Sequence, residues 1–388
     1  MRSKKKQFGN VDPEAEGADS GGRAAASGRG RKILKVILLI ALILVAIAAA
    51  LVLWLSATEF KPAARETLHV SGTSEASVRQ GESLRYMTWN VGYGALGDNA
   101  SFFMDGGDDV KTASEKRVRA NLKGISEQIA SEKPDFVFLQ EVDTDSSRSY
   151  GIDEASEISG SFPGAQNSAF AYNFKVKFIP YPIPPIGRVN SGIVTLSNRE
   201  IASADRYRLP CPFKWPVRLG NLKRCITVSR TPVTDSDGRK TGRELVSVNL
   251  HLEAYDSGAG KIAQTRRFRK IIQREADKGN YVIAGGDFNQ TFSGTDSSMY
   301  PERKGTWHCG RLDEASFSSD WSFRMDNSNP TCRSLDRAYK GADHKKFQYY
   351  MIDGFIVSSN VKVRNIETRN LGFKCTDHEP VVMDVELE

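Results

Sequence analysis

The pattern of apolar and polar positions changes period along this chain. Val36 to Leu55 is twenty residues without a charge, directly after Arg31, Lys32 and Lys35. Twenty residues at helical rise span a hydrocarbon core, and a buried helix of a soluble domain is rarely apolar all round. Trp54 falls at the far end, where an interfacial aromatic is expected. Beyond residue 82 the periods are shorter. Leu84–Val91 alternates as a strand and ends at Gly92 and Gly94. Residues 112–133 then read as a helix, opened by the capping-box spacing Thr112-x-x-Glu115 and striped by Val118, Leu122, Ile125 and Ile129. Pro134 stops it, and Asp135-Phe136-Val137-Phe138-Leu139 is a buried strand leading into Gln140-Glu141. Strand, helix and strand make a βαβ unit.

A second such unit follows. Residues 225–234 and 245–252 read as strands paired through the turn residues Asp235 to Gly238. Lys261–Lys278 reads as a helix with Ile262, Phe268, Ile271 and Ile272 inward, and Tyr281-Val282-Ile283-Ala284 as a buried strand. Ser191–Ser197, Met351–Val357 and Pro380–Leu387 are further strands, the last setting Val381, Met383 and Val385 against Val382, Asp384 and Glu386. No tandem repeat is visible. Two halves of similar order predict two sheets packed face to face with helices outside.

Composition is ordinary for a globular protein of 388 residues, 39% hydrophobic and 26% charged. The net charge of +7 is unevenly placed: residues 1–35 hold nine basic and four acidic side chains, so five of the seven charges belong to the N-terminal tail. The excess is therefore poor support for a nucleic-acid groove in the folded part. The expected organisation is a disordered basic cytoplasmic tail (1–32), a transmembrane anchor (33–55), a stalk (56–81) and a catalytic domain (82–388). Positive charge stays inside, which predicts a single-pass cell-membrane protein with its C-terminal domain outside the cytoplasm. A cleavable signal peptide with small residues at Ser56-Ala57 is the competing reading; the long basic prefix and the full-length span favour an uncleaved anchor. Cys211 and Cys225 flank one loop and Cys309 and Cys332 another, so either pair could close a disulfide in an oxidising compartment. There is no C-x-x-C and the histidines are scattered, so no zinc cluster is expected.

The chemistry gathers where strands end. In Gly285-Gly286-Asp287-Phe288-Asn289-Gln290, an extended backbone points Asp287 and Asn289 to one face, an acceptor-only carboxylate beside an amide that donates and accepts. Polar residues recur at matching positions: Asn90, Glu141, His251, Asp353 and Asp377-His378. Each alone has a dull explanation, a strand cap, a turn or a satisfied core histidine. Together, inward carboxylates without partners would be costly. Converging acids need a cation, and an oxygen-rich set with few histidines suits magnesium or manganese.

Six motifs in order, Thr88-Trp89-Asn90, Leu139-Gln140-Glu141, Asn249-Leu250-His251-Leu252, Gly285-Gly286-Asp287-Phe288-Asn289, Ile352-Asp353-Gly354-Phe355 and Thr376-Asp377-His378-Glu379-Pro380, resemble the endonuclease/exonuclease/phosphatase superfamily. The resemblance runs from about Leu84 to the C-terminus. It implies a deoxyribonuclease I-like four-layered α/β/β/α sandwich, here preceded by one transmembrane helix, with the site at one edge of the two sheets. It further implies a magnesium-dependent phosphoric ester hydrolase. Glu141 is then the principal metal ligand, with Asn90 beside it and Asp377 in the metal or water shell. Asp287 orients and deprotonates the attacking water, Asn289 donates to phosphoryl oxygens, and His378 contacts the scissile phosphate, held by Asp353. His251 assists the phosphate or leaving group. Some relatives carry an acid two residues after the first-motif Asn; here that position is Gly92, which leaves one-metal chemistry as the expectation.

Two substrate classes stand open, and no obligate protein partner is evident. A phospholipid or other envelope phosphoester fits the anchor and the stretch Phe174–Ile186, whose run Phe178–Ile186 is apolar and proline-stiffened and could lie against a membrane or wall a lipid pocket. An extracytoplasmic endonuclease or exonuclease acting on DNA or RNA fits family precedent and the local bases Arg206, Arg208, Lys214, Arg218, Lys223 and Arg224. A binding module that keeps the fold without the chemistry is disfavoured by the complete motif set.

Overall fold

A computed structural model describes residues 20–162 and 166–388. The chain falls into two units, one ending at Ala57 and one beginning at Thr58. The first contains helix α1 (Ser20–Ala57), whose segment Arg29–Ala57 is long and apolar enough to cross a membrane. Most of its large apolar side chains, among them Ile33, Leu39, Leu44 and Leu53, are exposed. Residues 1–19 of the expected tail lie outside the described residues. Residues 20–32, expected to be disordered, instead continue the helix. Ala24, Ala25 and Ala26 are strong helix formers, and extending an existing helix avoids the cost of nucleation.

The second unit opens with short strands β1 (Arg65–Thr67), β2 (Val70–Gly72) and β3 (Val78–Arg79), then β4 (Ser83–Asn90), α2 (Glu115–Glu132), β5 (Phe136–Asp143) and α3 (Glu154–Ser161). It continues through β6 (Asn167–Ile179), β7 (Gly187–Ser197), β8 (Ser203–Arg208), β9 (Cys225–Thr234), β10 (Lys240–His251), α4 (Ala259–Ala276) and β11 (Tyr281–Asp287). The last part holds β12 (Gln290–Phe292), β13 (Gly310–Leu312), β14 (Trp321–Arg324), β15 (Cys332–Arg333), β16 (Tyr349–Tyr350), β17 (Asp353–Ser358), β18 (Val361–Thr368) and β19 (Val381–Leu387). One main sheet runs β18-β19-β4-β5-β7-β6-β2; the other runs β1-β8-β9-β10-β11-β17-β14, with β3 beside β9.

Strand alternation sorts the apolar residues into three layers of core. Leu84, Tyr86, Phe136, Phe138, Leu245, Tyr281, Ile283, Phe355 and Val357 meet between the sheets. Their sequence neighbours Met87, Trp89, Val137 and Leu139 pack under the α2 residues Val118, Leu122, Ile125 and Ile129. Val246, Val248, Leu250, Val282 and Ala284 pack under the α4 residues Phe268, Ile271 and Ile272. Three cores separate four layers, so the architecture is the expected α/β/β/α sandwich.

Three local expectations are corrected. The segment 56–81 is no free stalk: β1 pairs with β8, β2 with β6 and β3 with β9. Strands of two or three residues carry no readable alternation; β1 and β2 cover the edges β8 and β6, and β3 covers the end of β9 that extends past β8. The N-cap of α2 is Ser114, whose hydroxyl accepts from Arg117 N–H, while the Thr112 hydroxyl donates to Ala95 O at 2.8 Å. Ile262 is 61% exposed, because the buried face of α4 runs through Gln264, Phe268, Ile271, Ile272 and Glu275.

Candidate active site

The parity that builds the central core also aims the site. Asn90 shares a face with Leu84 and Tyr86, His251 with Leu245, Asp287 with Tyr281 and Ile283, and Asp353 with Phe355 and Val357. All four therefore point into the gap between the sheets. Register brings them to one end of it: β10 and β11 pair in parallel with His251 opposite Asp287, and β11 and β17 pair with Asp287 opposite Asp353.

Glu141 has the wrong parity, lying two and four residues from the outward Leu139 and Val137. A β-bulge corrects it. The register against β7 slips between Leu139 and Val142, and Glu141 takes φ +54°. An extra residue re-aims the side chain, at the cost of a left-handed backbone that non-glycine residues seldom adopt. Val142 returns to the outer core.

The resulting cluster is dense. Asn90 Nδ2 donates to Asp287 Oδ2 at 3.1 Å and to Glu141 Oε1 at 3.2 Å. His251 Nε2 lies 3.4 Å from Asp287 Oδ2 and 4.0 Å from Glu141 Oε1. Those two carboxylate oxygens thus converge on one point. Asn90 Oδ1 accepts from Gly92 N–H at 3.0 Å, so the amide presents its donor edge to the carboxylates. Asn289 N–H donates to Asp287 Oδ1 at 2.8 Å, and its Nδ2 donates to Leu252 O at 2.9 Å. Across the site, His378 Nδ1 and Asp353 Oδ2 are 2.8 Å apart and both side chains are buried. The Trp89 indole donates to His378 O at 2.9 Å, and the Thr331 hydroxyl accepts from the N–H groups of Ile352 and Asp353.

Burial and mutual charge set the protonation states. Burial, with Asp353 next to it, pushes the Asp287 carboxyl up to about 7. Burial also raises Asp377, and the charge of Glu141 adds to it. For His378 burial opposes the charge, but the Asp353 carboxylate and the Cys332 sulfur together outweigh it and hold the imidazole well above its ordinary value. Burial, reinforced by Arg224 and His378, drives His251 well below. The two histidines are thus pushed in opposite directions, His378 toward the imidazolium and His251 toward the neutral ring.

Acids whose burial and repulsion work against ionisation are a fit for a divalent cation, and the donor set is rich in oxygen. Glu141 and Asp287 already share a focus, and Asp377 lies close enough to feel the charge of Glu141. Gly92 explains why no further acid joins them. Its φ is +51°, and an added Cβ would sit 2.8 Å from Leu96 Cβ, 2.9 Å from Thr376 Oγ1 and 3.1 Å from Asp377 Oδ1.

The site opens into a cavity of about 500 Å³ whose far wall is apolar: Phe102, Phe103, Phe174, Ile179, Tyr181 and Ile186. Phe102 and Phe103 of that wall, and the polar neighbours Arg148 and Arg333, escape sequence reasoning. Arg148 is paired with Asp143 and lies 3.6 Å over the Tyr93 ring. Arg224, Cys332 and Arg333 come from loops or very short strands with no periodic signal. Cysteine adjacency was no guide either: all five thiols are free, with Cys225 and Cys332 buried.

The protein is thus a four-layered α/β/β/α sandwich with a carboxylate and histidine cluster at one end of its two sheets. The Endonuclease/Exonuclease/phosphatase family profile matches residues 87–378. The chain belongs to that family, whose members are phosphoester hydrolases and generally depend on a divalent metal. It is similar to an endonuclease/exonuclease/phosphatase from Beutenbergia cavernae, at 19% identity and TM-score 0.52, covering 79% of this chain and 72% of that one. A Bacteroides vulgatus endonuclease/exonuclease/phosphatase aligns at 14% identity and TM-score 0.48, covering 79% and 100%. The human Nocturnin catalytic domain, solved with a bound sulfate, aligns at 16% identity and TM-score 0.47, covering 83% and 98%. No curated protein matches the sequence.

Proposed function

We propose that this chain is a membrane-anchored, magnesium- or manganese-dependent phosphoesterase whose catalytic unit lies outside the cytoplasm and whose substrate is an amphiphilic phosphoester such as a phospholipid. The apolar cavity carries the reading. Its wall of Phe102, Phe103, Phe174 and Ile179 adjoins the polar cluster, a layout that suits a phosphate joined to an apolar body. At its rim Tyr181 and Met104 are exposed, as is Ile183 in the same loop. The nuclease reading is weakened by the fate of its basic residues. Arg206 binds Tyr172 O and Lys223 O, Arg208 binds Pro62 O, Arg218 and Lys223 pair with Glu59, and Arg224 with Glu253. Cations already engaged by the protein are poor phosphate trackers.

Glu141 and Asp377 would hold the metal, which when bound neutralises charge on the phosphoryl oxygens, while Asn90, its donor edge turned to the carboxylates, orients Glu141 rather than joining the ligands. Asp287, oriented by Asn289 N–H and Asn90 Nδ2, takes the proton of the attacking water. The imidazolium of His378 donates from Nε2 to a phosphoryl oxygen, its ring fixed by Asp353. The remaining amide hydrogen of Asn289 and the ring of His251 complete the donors around the phosphate. The test is hydrolysis by the detergent-solubilised full chain, with magnesium and then EDTA, of phospholipid vesicles, plasmid DNA and bis-p-nitrophenyl phosphate. EDTA-sensitive lipid turnover with intact plasmid is expected. Plasmid cleavage without lipid turnover overturns the substrate assignment.

A further inference from the structure

We propose that Cys332, Asp377 and His378 form a site for a soft divalent cation, zinc in the first instance, through which zinc displaces the phosphoester and silences the enzyme. The three are brought together by tertiary structure. Cys332 and His378 form an isolated antiparallel bridge, and Arg333 N–H donates to Asp377 O at 3.0 Å. A thiol sulfur, a carboxylate oxygen and an imidazole nitrogen then lie within 4.8 Å of one another. Bonds to zinc of about 2.0–2.3 Å place such ligands about 3–4 Å apart, so small side-chain rotations close the site.

A second, independent feature points the same way. Asp353 holds His378 Nδ1 at 2.8 Å, which fixes the ring and leaves Nε2 as the ligand nitrogen. A carboxylate behind a metal-bound histidine is the usual arrangement for zinc, since it sets the tautomer and raises ligand basicity. The Cys332 thiol contacts the Arg333 carbonyl at 3.5 Å and is tied to no carboxylate. All three side chains are buried in the cavity wall, and three protein ligands leave one position toward the cavity.

Selectivity follows from the donors. A thiolate and an imidazole favour zinc, whereas magnesium prefers the all-oxygen set at Glu141. Magnesium and zinc therefore need not compete for the same donors, apart from Asp377. Zinc takes the Nε2 lone pair of His378 and the Cys332 thiolate, releasing one proton from each to solvent, and so occupies the atom that faces the phosphoryl group; binding and inhibition are one event.

The inhibitory half rests on the phosphoesterase reading; the binding half does not, and the experiment separates them. Cobalt(II) titration of the detergent-solubilised full chain reads a thiolate-to-cobalt charge-transfer band in the near ultraviolet. The band is expected in the wild type and in Cys309→Ser, and absent in Cys332→Ser. In magnesium-supported hydrolysis of bis-p-nitrophenyl phosphate, with each protein's rate scaled to its own zinc-free value, Cys332→Ser should need at least about tenfold more zinc for half-inhibition. A wild type without the band, or a Cys332→Ser variant that keeps it, overturns the site. Equal zinc sensitivity of the two proteins overturns the inhibitory role. Should Cys332→Ser lose its fold by circular dichroism, Cys332→Ala takes its place in the same cobalt titration, and a band kept by that variant overturns the site. A chain that gives the band but hydrolyses nothing leaves the site standing and the phosphoesterase reading fallen.

Discussion

Replacing Asp353 with Asn isolates one charge at the centre of the site. The buried Asp353 carboxylate meets His378 Nδ1 through one oxygen at 2.8 Å, while its other oxygen, Oδ1, has no hydrogen-bond partner. Asn fits the same space: its carbonyl can still accept from Nδ1, and its amide takes the place of the unpartnered oxygen. Shape is kept and charge is lost. A hydrogen bond to a charged group contributes about 1.5–3 kcal/mol, and each 1.4 kcal/mol is roughly tenfold in rate. A fall in kcat of about 10- to 100-fold is expected. The pH profile carries the sharper test. Activity rises as Asp287 loses its proton near pH 7 and falls as His378 loses its own at higher pH. The Asp353 charge raises both groups, so removing it moves both limbs to lower pH. The assay is kcat against pH on bis-p-nitrophenyl phosphate with saturating magnesium. A D353N enzyme with wild-type kcat and unmoved limbs refutes the assigned coupling.

Three further outcomes are expected. Gly286→Ala places a Cβ 2.0 Å from Leu250 O at φ +147°, between β10 and β11, and should cost on the order of 2–4 kcal/mol; an unchanged melting temperature contradicts this. Phe103→Ala removes an edge-on contact with Tyr181 worth about 0.5–1.5 kcal/mol. It should raise KM for phospholipid vesicles about three- to tenfold and leave bis-p-nitrophenyl phosphate unaffected, whereas an equal effect on both substrates counts against the apolar wall. Glu379 is pushed up to about 8 by burial, despite accepting from the N–H groups of Phe373 and Leu371. The folded state therefore holds its proton more tightly than the unfolded chain. That contribution to stability is complete below the ordinary carboxylate range and is lost as pH rises through about 8. Glu379→Gln should flatten the melting temperature between about pH 5 and 8.5, and a slope equal to wild type argues against this carboxyl as its source.

Much of the site was legible because period-2 alternation is a local property. The residues of β4, β10, β11 and β17 that face the other sheet can be counted along each strand from its apolar members, and Asn90, His251, Asp287 and Asp353 follow by parity. The same local rule misassigns Glu141, whose side chain reaches the site only because an extra residue in β5 reverses the count. No one-dimensional pattern marks a bulge, since it is decided by the pairing of β5 with β7.

What the sequence determined by itself was the set of faces: an apolar helix near the N-terminus, two βαβ halves, and polar residues at the ends of their strands. Tertiary structure decided which faces meet. It turned the expected stalk into edge strands, tied Arg206 and Arg224 into the protein, and closed an apolar wall from Phe102 to Ile186 beside the carboxylates. It also set Cys332 against His378, where scattered histidines and the lack of a C-x-x-C had argued against any zinc ligand set. Periodicity reports what a residue does relative to its neighbours in the chain. Contacts between residues far apart in sequence depend on register and loop paths, and those are settled only when the whole core packs.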